Sequence, residues 1–268
     1  MAILVVEIDF PGLSTADISD RTGLKGDEQD DLNGAINLIV ACMAGTQSCN
    51  HQIAVRSLPL LPSAPAANTL IGTLMSGYTK FKGLASSTLT NTGSSVVTGD
   101  IGVSPGTSIT GFPPGTFSGV RHLNDADAIA AHALAITAYN TLAAKTMTSD
   151  LTGQDLGGMN LGAGVYHFDT SAGLTGTLTL TGSASDQFVF NIGSTLTTAG
   201  SSAVVLVGVN PDNVAWRVGS SATLGTSSVM KGNIFALQSV TATTGATNLG
   251  GRFIAINAAV TLDTNTLG

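Results

Sequence analysis

Short apolar segments alternate with Thr, Ser and Gly residues through most of the second half of the chain, and successive segments resemble one another. The clearest repeats are residues 188–197, 214–224, 234–243 and 253–262. From Trp216 to Ala236 to Ala255 the step is about twenty residues, a length that suits one coil of a β-solenoid. The pattern therefore predicts a mainly β fold in which each repeat forms one coil.

Within a coil, apolar and polar residues alternate as in a strand that is buried on one side, because successive strand side chains point to opposite faces. Leu178, Leu180 and Leu196 are predicted to point inward. Threonine fits the outward positions, since it is β-branched and its hydroxyl tolerates water. The outward threonines of these segments are Thr177, Thr179, Thr195 and Thr197.

One long helix is predicted to interrupt the strands, from Asn124 to about Lys145. Asn124 or Asp125 is a suitable N-cap, because a short polar side chain can accept a hydrogen bond from the first turn. Apolar residues recur at helical spacing, and we expect the helix to pack along a wall of the solenoid. These apolar positions include Ile129, Ala133, Ile136, Leu142 and Ala143.

The first part of the chain has a different pattern. Residues 2–10 and 52–57 read as strands that flank a helix, so residues 1–57 are predicted to form a small β-α-β anchoring or oligomerisation unit. The Pro-rich residues 58–67 are predicted to be an extended linker, and residues 68–268 the solenoid. Apolar residues of the first unit are candidate anchoring positions: Ile3, Val5, Phe10, Ile36, Ile39, Ile53 and Val55.

Composition narrows the function classes. Of the 268 residues, 43% are hydrophobic and 10% charged, and the net charge of −7 disfavours nucleic acid as a partner.

No run of apolar residues is long enough for a membrane span, and the first residues lack the basic region of a secretory signal, so synthesis without a signal peptide is expected. Cys42 and Cys49 are too few for a disulfide scaffold and are interpreted as free or structural thiols, although they could pair with each other.

No pattern of catalytic or metal-binding residues stands out. The four histidines are widely separated, without a metal-ligand partner at a suitable spacing, and no serine lies in a nucleophile elbow. We therefore predict no enzymatic activity, no metal and no cofactor.

Several stretches resemble the ice-binding-like domain of microbial antifreeze proteins and adhesins. They are residues 90–93, 97–106, 109–115, 138–140, 161–166, 186–196 and 213–226. The resemblance covers residues 80–268 and implies a discontinuous β-solenoid with a long helix packed beside it. It also implies a flat solenoid face of small and threonine side chains that binds ice, for which the candidates here are Thr177, Thr179, Thr195, Thr197, Thr223, Thr241, Thr243 and Thr261.

Residues 1–57 resemble small attachment modules of tailed-phage virion proteins. Together with the missing signal, this favours a virion protein that is assembled in the host cytoplasm. The primary hypothesis is thus a capsid decoration or cement-like protein, anchored to a capsid protein or to sister copies through residues 1–57 and displaying the solenoid. The alternative is an ice-binding protein, cytoplasmic or exported by a non-classical route, and a third hypothesis is an adhesin tip that binds a cell-surface glycan.

The regularity of the threonine face distinguishes these hypotheses. A coplanar Thr-x-Thr array with few charges would favour ice. A face interrupted by Arg217, Lys231, Gln238 or Arg252 would favour display or adhesion.

Overall fold

A computed structural model describes residues 69–268. The predicted β-α-β unit, its seven candidate anchoring residues, the two cysteines and the linker at 58–67 all lie outside the described residues. Within those residues, 24 short strands, two helices and one 3₁₀ turn follow one another.

The strands are two to five residues long, and most alternate buried inward residues with more exposed outward ones. Up to the long helix they are β1 (Phe81–Ala85), β2 (Thr88–Thr92), β3 (Val96–Val97), β4 (Asp100–Val103), β5 (Ser108–Thr110), β6 (Thr116–Phe117) and β7 (Arg121–Leu123). After it they are β8 (Ser149–Asp150), β9 (Asn160–Leu161), β10 (Gly164–Phe168), β11 (Ala172–Leu174), β12 (Thr177–Thr181), β13 (Phe188–Ile192), β14 (Leu196–Thr198), β15 (Ala203–Val207), β16 (Val214–Val218), β17 (Ala222–Leu224), β18 (Val229–Met230), β19 (Asn233–Ala236), β20 (Val240–Ala242), β21 (Thr247–Asn248), β22 (Arg252–Ala255), β23 (Val260–Asp263) and β24 (Thr266–Leu267).

The strands form three parallel sheets, one along each wall of a solenoid. Sheet A has the strand order β7-β4-β1-β22-β19-β16-β13-β10-β8. Sheet B has the order β11-β14-β17-β20-β23-β2-β5, and sheet C the order β6-β3-β24-β21-β18-β15-β12-β9. A full coil contributes one strand to each sheet, which confirms the predicted repeat.

The coils are stacked in an order that differs from their order along the chain. The last coil, β22-β23-β24, pairs with the first, β1-β2-β3, on all three walls. The first coil pairs on its other side with β4, β5 and β6. The solenoid is therefore discontinuous, as the resemblance implied.

Apolar side chains fill the interior between the sheets. Tyr166, Phe190 and Trp216 are partners in adjacent strands of sheet A and stack, with ring centroids 5.2 Å and 3.9 Å apart. The Trp216 indole N–H donates to the Lys231 carbonyl over 2.9 Å, so the one polar atom of this ring is satisfied. Leu178, Leu180 and Leu196 are fully buried, as the alternation predicts.

Two helices lie on the outer side of sheet A. Helix α1 (Leu70–Leu74) is short, and α2 (Ala126–Ala143) is the predicted long helix. In α2 the buried side is formed by alanines together with Tyr139 and Leu142, and these pack with the outward residues of sheet A, such as Phe235 and Ile254. Of the five apolar positions noted in the sequence only Leu142 is buried, so the expected packing side is wrong: Ile129 and Ile136 are 51% and 39% exposed, and Ala133 and Ala143 are exposed as well. Because the helices cover sheet A, sheets B and C carry the outer surfaces that remain open to solvent.

Candidate functional site

A ladder of threonines runs across the outer surface of sheet B, which we call face B. Each of its members is an outward residue of its strand and the register partner of the next. We call this ladder the central row, and in spatial order it consists of Gly173, Thr197, Thr223, Thr241, Thr261, Thr90 and Thr110. Six of its seven members are threonine, and neighbouring strands of a sheet are about 4.8 Å apart.

Two flanking rows lie two residues before and two residues after the central row. The first flanking row consists of Ser171, Thr195, Ser221, Ser239, Ala259, Thr88 and Ser108. The second flanking row consists of Thr175, Ala199, Gly225, Thr243, Asp263 and Thr92. Nearly all of these side chains are small, so face B is a surface of low relief.

The interior fixes the position of the central row. The residues directly before it, among them Leu196, Ala222 and Val240, are completely buried in the solenoid core. Parallel backbone hydrogen bonds join each strand to the next along sheet B, for example from the Ala222 amide to the Ser239 carbonyl over 2.9 Å. Threonine has few χ1 rotamers because it is β-branched, so a rigid backbone also restricts its hydroxyl.

The hydroxyls of the rows differ in their hydrogen bonds. In the first flanking row, Thr195 donates to Ser171 over 2.8 Å, and Ser239 donates to Ser221 over 3.0 Å. In the second flanking row, Thr243 donates to the Leu224 carbonyl over 2.7 Å. These side chains are therefore bonded within the protein. The flanking residues on β2 and β5, which are Thr88, Thr92 and Ser108, make no such bond within residues 69–268, so the pattern holds for the strands from β11 to β23.

In the central row, by contrast, four hydroxyls have no hydrogen-bond partner within residues 69–268. They belong to Thr197, Thr223, Thr241 and Thr110. Thr90 approaches Thr261 at 3.4 Å, which is long for a bond between two hydroxyls. The central row thus presents its polar atoms to solvent.

Charge on face B is confined to its margins. Asp263, in the second flanking row, accepts hydrogen bonds from the hydroxyls of Thr244 and Thr264. At the edge of the sheet, Asp155 lies beside Gly173 and accepts bonds from the amide and hydroxyl of Thr175. Burial opposes ionisation of Asp155, but these bonds and one from the Gly157 amide outweigh it, so the pKa of this carboxyl lies below its ordinary value.

The threonines predicted as candidates divide between two faces. Thr195, Thr197, Thr223, Thr241, Thr243 and Thr261 all lie on face B. Thr177 and Thr179 belong to β12 and therefore lie on the outer surface of sheet C, which we call face C. The sequence pattern placed all eight threonines outward but did not indicate which of them share a wall.

Sequence reasoning missed two members of the central row, Thr90 and Thr110. Both lie near the start of the described residues, far along the chain from the other members. They join the row because β2 pairs with β23. The sequence did contain a sign that these threonines point outward: they end the short segments Thr-Leu-Thr and Ser-Ile-Thr, which alternate polar and apolar residues as the later coils do.

Face C is less regular than face B. Its outward register partners alternate between threonine and aliphatic residues: Thr177, Ala203, Val229, Thr247, Thr266, Val96 and Thr116. A shallow apolar groove crosses it, with Val205 and Leu249 exposed by 42% and 47% and Lys231 at its side. Aliphatic residues therefore interrupt any regular row of hydroxyls on face C.

None of the four residues proposed as interruptions of the threonine face lies in a strand of sheet B. Arg217 belongs to sheet A, where its guanidinium lies 4.3 Å from the ring of Tyr139 in α2. Arg252 is buried and donates to the Thr79 carbonyl and to Asp212, each over 2.9 Å. Lys231 lies beside face C, and Gln238 lies in the connection that precedes β20. By the criterion drawn from the sequence, the regular and nearly uncharged face B favours ice.

Within the described part of the chain, no group of three or more His, Cys, Asp or Glu residues is arranged to hold a metal ion. His122 contacts Asp125 at 2.8 Å, and His167 contacts Asp169 at 2.9 Å, so both histidines have local partners. Among residues 69–268, neither helix is both long enough and apolar enough to span a membrane.

Comparison with known proteins decides the family. A sequence model of the ice-binding-like family matches residues 83–268. The chain belongs to the ice-binding-like family. It is 49% identical over 202 residues to an ice-binding protein of Nostoc sp. (strain HG1), an alignment that covers 75% of this chain and 74% of the relative.

Solved structures of ice-binding proteins share the fold of this family member. The ice-binding protein of the Antarctic ascomycete Antarctomyces psychrotrophicus is 42% identical, with a TM-score of 0.69, and the match covers 74% of this chain and 96% of that one. An ice-binding protein from an Antarctic biological consortium is 40% identical, also with a TM-score of 0.69, over 79% of this chain and 95% of that one. These matches confirm the resemblance and the solenoid fold stated from the sequence.

The same comparisons correct the predicted location. A virion protein assembled in a host cytoplasm was expected, and this is wrong, because the matching proteins are ice-binding proteins of a cyanobacterium, other bacteria and fungi. The resemblance of residues 1–57 to phage attachment modules receives no support from them, and neither does a capsid protein as partner. The ice-binding alternative fits the family better than the capsid-decoration hypothesis, and nothing in these matches points to an enzyme.

Proposed function

We propose that this protein binds ice and that it does so through face B. The observation that carries the proposal is the central row, in which six threonines stand in register on six adjacent parallel strands of sheet B. The family and the named function of the relatives support the same conclusion.

The physical basis is a match between a rigid surface and a layer of ordered water. Each threonine of the central row offers a hydroxyl with one donor and two acceptor positions, together with a methyl group that cannot hydrogen-bond. The strand spacing repeats these groups at a constant interval of about 4.8 Å. Water bound at such an array is held in a regular pattern, and because the protein is already rigid, little conformational entropy is lost when the array meets a crystal surface.

The other walls are less suitable for this task. Sheet A is covered by α1 and α2, whose buried side chains pack against it. On face C, the exposed Val205 and Leu249 and the charged Lys231 interrupt any continuous row of hydroxyls. Face B is therefore the wall that best supports contact with ice.

Thermal hysteresis and ice shaping by the full-length protein test the proposal. In T223Y, a phenol projects from the middle of the central row and separates the flat face from a crystal, so we expect hysteresis to fall by at least about fivefold while unfolding free energy changes by less than about 1 kcal/mol. T179Y is the matched control, because Thr179 is the central outward residue of its own strand but lies on face C.

T179Y should retain the hysteresis of the unsubstituted protein. Loss in T179Y with retention in T223Y would move the binding surface to face C. If the unsubstituted protein neither lowers the freezing point nor shapes ice, the proposal is wrong.

A further inference from the structure

From β11 to β23, the hydrogen bonds on face B separate its hydroxyls into two classes. Central-row hydroxyls such as those of Thr197, Thr223 and Thr241 have no partner within residues 69–268. Immediately before the same three strands, the first-flanking-row hydroxyls of Thr195, Ser221 and Ser239 are each bonded to a neighbouring side chain.

The pairing alters what the flanking hydroxyls can offer to water. A hydroxyl has a single proton, so a hydroxyl that donates to its neighbour has none left for a water molecule. Thr195 donates to Ser171 over 2.8 Å and Ser239 donates to Ser221 over 3.0 Å, and both bonds run along the sheet between adjacent strands. These bonds fix the protons of Thr195 and Ser239 parallel to the surface and occupy an acceptor position on Ser171 and Ser221, which keep their own protons. A central-row hydroxyl has no such bond and can turn its proton outward.

The second flanking row is engaged in the same way. Thr175 donates to the Asp155 carboxylate over 3.0 Å, and Thr243 donates to the Leu224 carbonyl over 2.7 Å. The Asp263 carboxylate of this row accepts the Thr244 hydroxyl. From β11 to β23, the central row is thus bordered on both sides by residues whose polar side-chain groups are bonded within the protein or that have none, as at Ala199, Gly225 and Ala259.

From this contrast we infer that the hydroxyls of the central row determine recognition of ice, while the flanking hydroxyls serve to keep the surface flat and rigid. The inference rests on the proposed function and assigns a separate task to each row. It implies that removing hydroxyls has a different effect in two neighbouring rows of the same face, both of which consist mainly of hydroxyl-bearing residues.

Hydroxyl removal in matched sets tests this assignment. One variant of the full-length protein carries T197V, T223V and T241V, which replace hydroxyls by methyl groups at nearly constant shape. The other carries T195V, S221A and S239A, which remove three first-flanking-row hydroxyls, each directly before one of the same three strands. Both variants are assayed for thermal hysteresis over a concentration series, for binding to a single-crystal ice hemisphere, and for unfolding by denaturant.

In the central-row variant, we expect the concentration needed for a given hysteresis to rise by at least about tenfold, because three outward hydrogen bonds to ordered water are lost. Valine is a good strand former, so its unfolding transition should be retained. The flanking-row variant should need less than about a threefold higher concentration, because Thr195 and Ser239 already donate their protons within the protein and Ser221 already accepts one, so these hydroxyls contribute less to the water layer.

Equal losses in the two variants, or a greater loss in the flanking-row variant, would overturn the assignment while leaving ice binding in place. Unimpaired activity in both variants would also overturn it, because shape and methyl groups would then suffice. An unsubstituted protein without hysteresis or ice-plane binding would reject the proposed function itself, and the assignment would be rejected with it. The activity of the unsubstituted protein therefore distinguishes failure of the row assignment, in which ice binding is retained, from failure of the proposed function, in which it is absent.

Discussion

At the scale of single residues, the connection between sheets B and C needs a left-handed backbone in successive coils. Positive φ angles occur there at Gly93, Ser201, Ser227, Gly245 and Thr264. Only glycine adopts this conformation without a steric penalty from Cβ, so the serines and the threonine are held there by the surrounding coil. Such corners keep the ends of the face B strands aligned.

Two glycines allow the strain of a left-handed backbone to be separated from steric collision. Gly245 has φ +72°, and a Cβ there would meet nothing closer than the Ser227 hydroxyl at 3.4 Å. Gly111 has φ +83°, but a Cβ there would overlap the Asn91 carbonyl. We expect G245A to lower the unfolding free energy by about 1 kcal/mol and G111A by about 3 kcal/mol, since only the second adds a backbone clash to the strain.

Denaturant unfolding measures the loss of unfolding free energy in both variants. S227G is the control: Ser227 occupies the equivalent left-handed position in the neighbouring coil, and its replacement by glycine should change the unfolding free energy little. Equal losses of unfolding free energy in G245A and G111A would show that backbone movement relieves the collision with the Asn91 carbonyl.

At the scale of elements, the sequence predicted the strands and the long helix better than it predicted the contacts between them. The helix was expected from Asn124 to about Lys145 with Asn124 or Asp125 as N-cap, and it is found at Ala126–Ala143 with Asp125 as N-cap. Its buried side is made of alanines, with Tyr139 and Leu142 near its end. The sequence did not indicate this side, because α2 is apolar nearly all round, and close approach to the flat outer surface of sheet A favours small residues over isoleucine.

The N-cap of α2 gives a test at this scale. Asp125 accepts a hydrogen bond from the Ala128 amide over 2.9 Å. D125A should lower the unfolding free energy by about 1 kcal/mol, because it removes the acceptor for an amide that has no partner inside the helix, whereas D125N should retain most of the stability. If D125N lost as much unfolding free energy as D125A, the charge of Asp125 or its contact with His122 would matter more to stability than capping does.

The same cap should depend on pH. The Ala128 amide, followed by the His122 contact, holds the pKa of Asp125 below its ordinary value of 3.8. A carboxyl with a lowered folded-state pKa contributes stability that is complete above its unfolded-state value and is lost as the pH falls through the folded-state value. The stability of the unsubstituted protein relative to D125N should therefore decline below about pH 4, and a difference that stays constant from pH 7 to pH 3 would contradict this.

At the scale of the whole molecule, the order of the coils is the feature that the sequence pattern could not supply. Local alternation predicts that β23 is a strand with an outward Thr261, but nothing local indicates that β2 lies next to it. That pairing completes the central row with Thr90 and Thr110, so the extent of face B depends on contacts between residues that are distant in the chain.

The coil order also predicts where the molecule is most sensitive to a cavity. Leu262 belongs to the last coil along the chain, yet β23 lies inside sheet B, between β20 and β2. Leu174 belongs to β11, at the edge of the same sheet. Both side chains are buried, with exposures of 0% and 1%.

We expect L262A to lower the unfolding free energy by about 4 kcal/mol and L174A by about 2 kcal/mol, because a cavity at the end of the solenoid can collapse more easily than one inside it. Trp216 is the only tryptophan, so its fluorescence reports denaturant unfolding in both variants. In an ordinary solenoid, whose coils stack in chain order, the last coil would be an end and would tolerate the change better. A smaller loss in L262A than in L174A would therefore contradict the pairing of the first and last coils, and with it the continuity of the threonine row across face B.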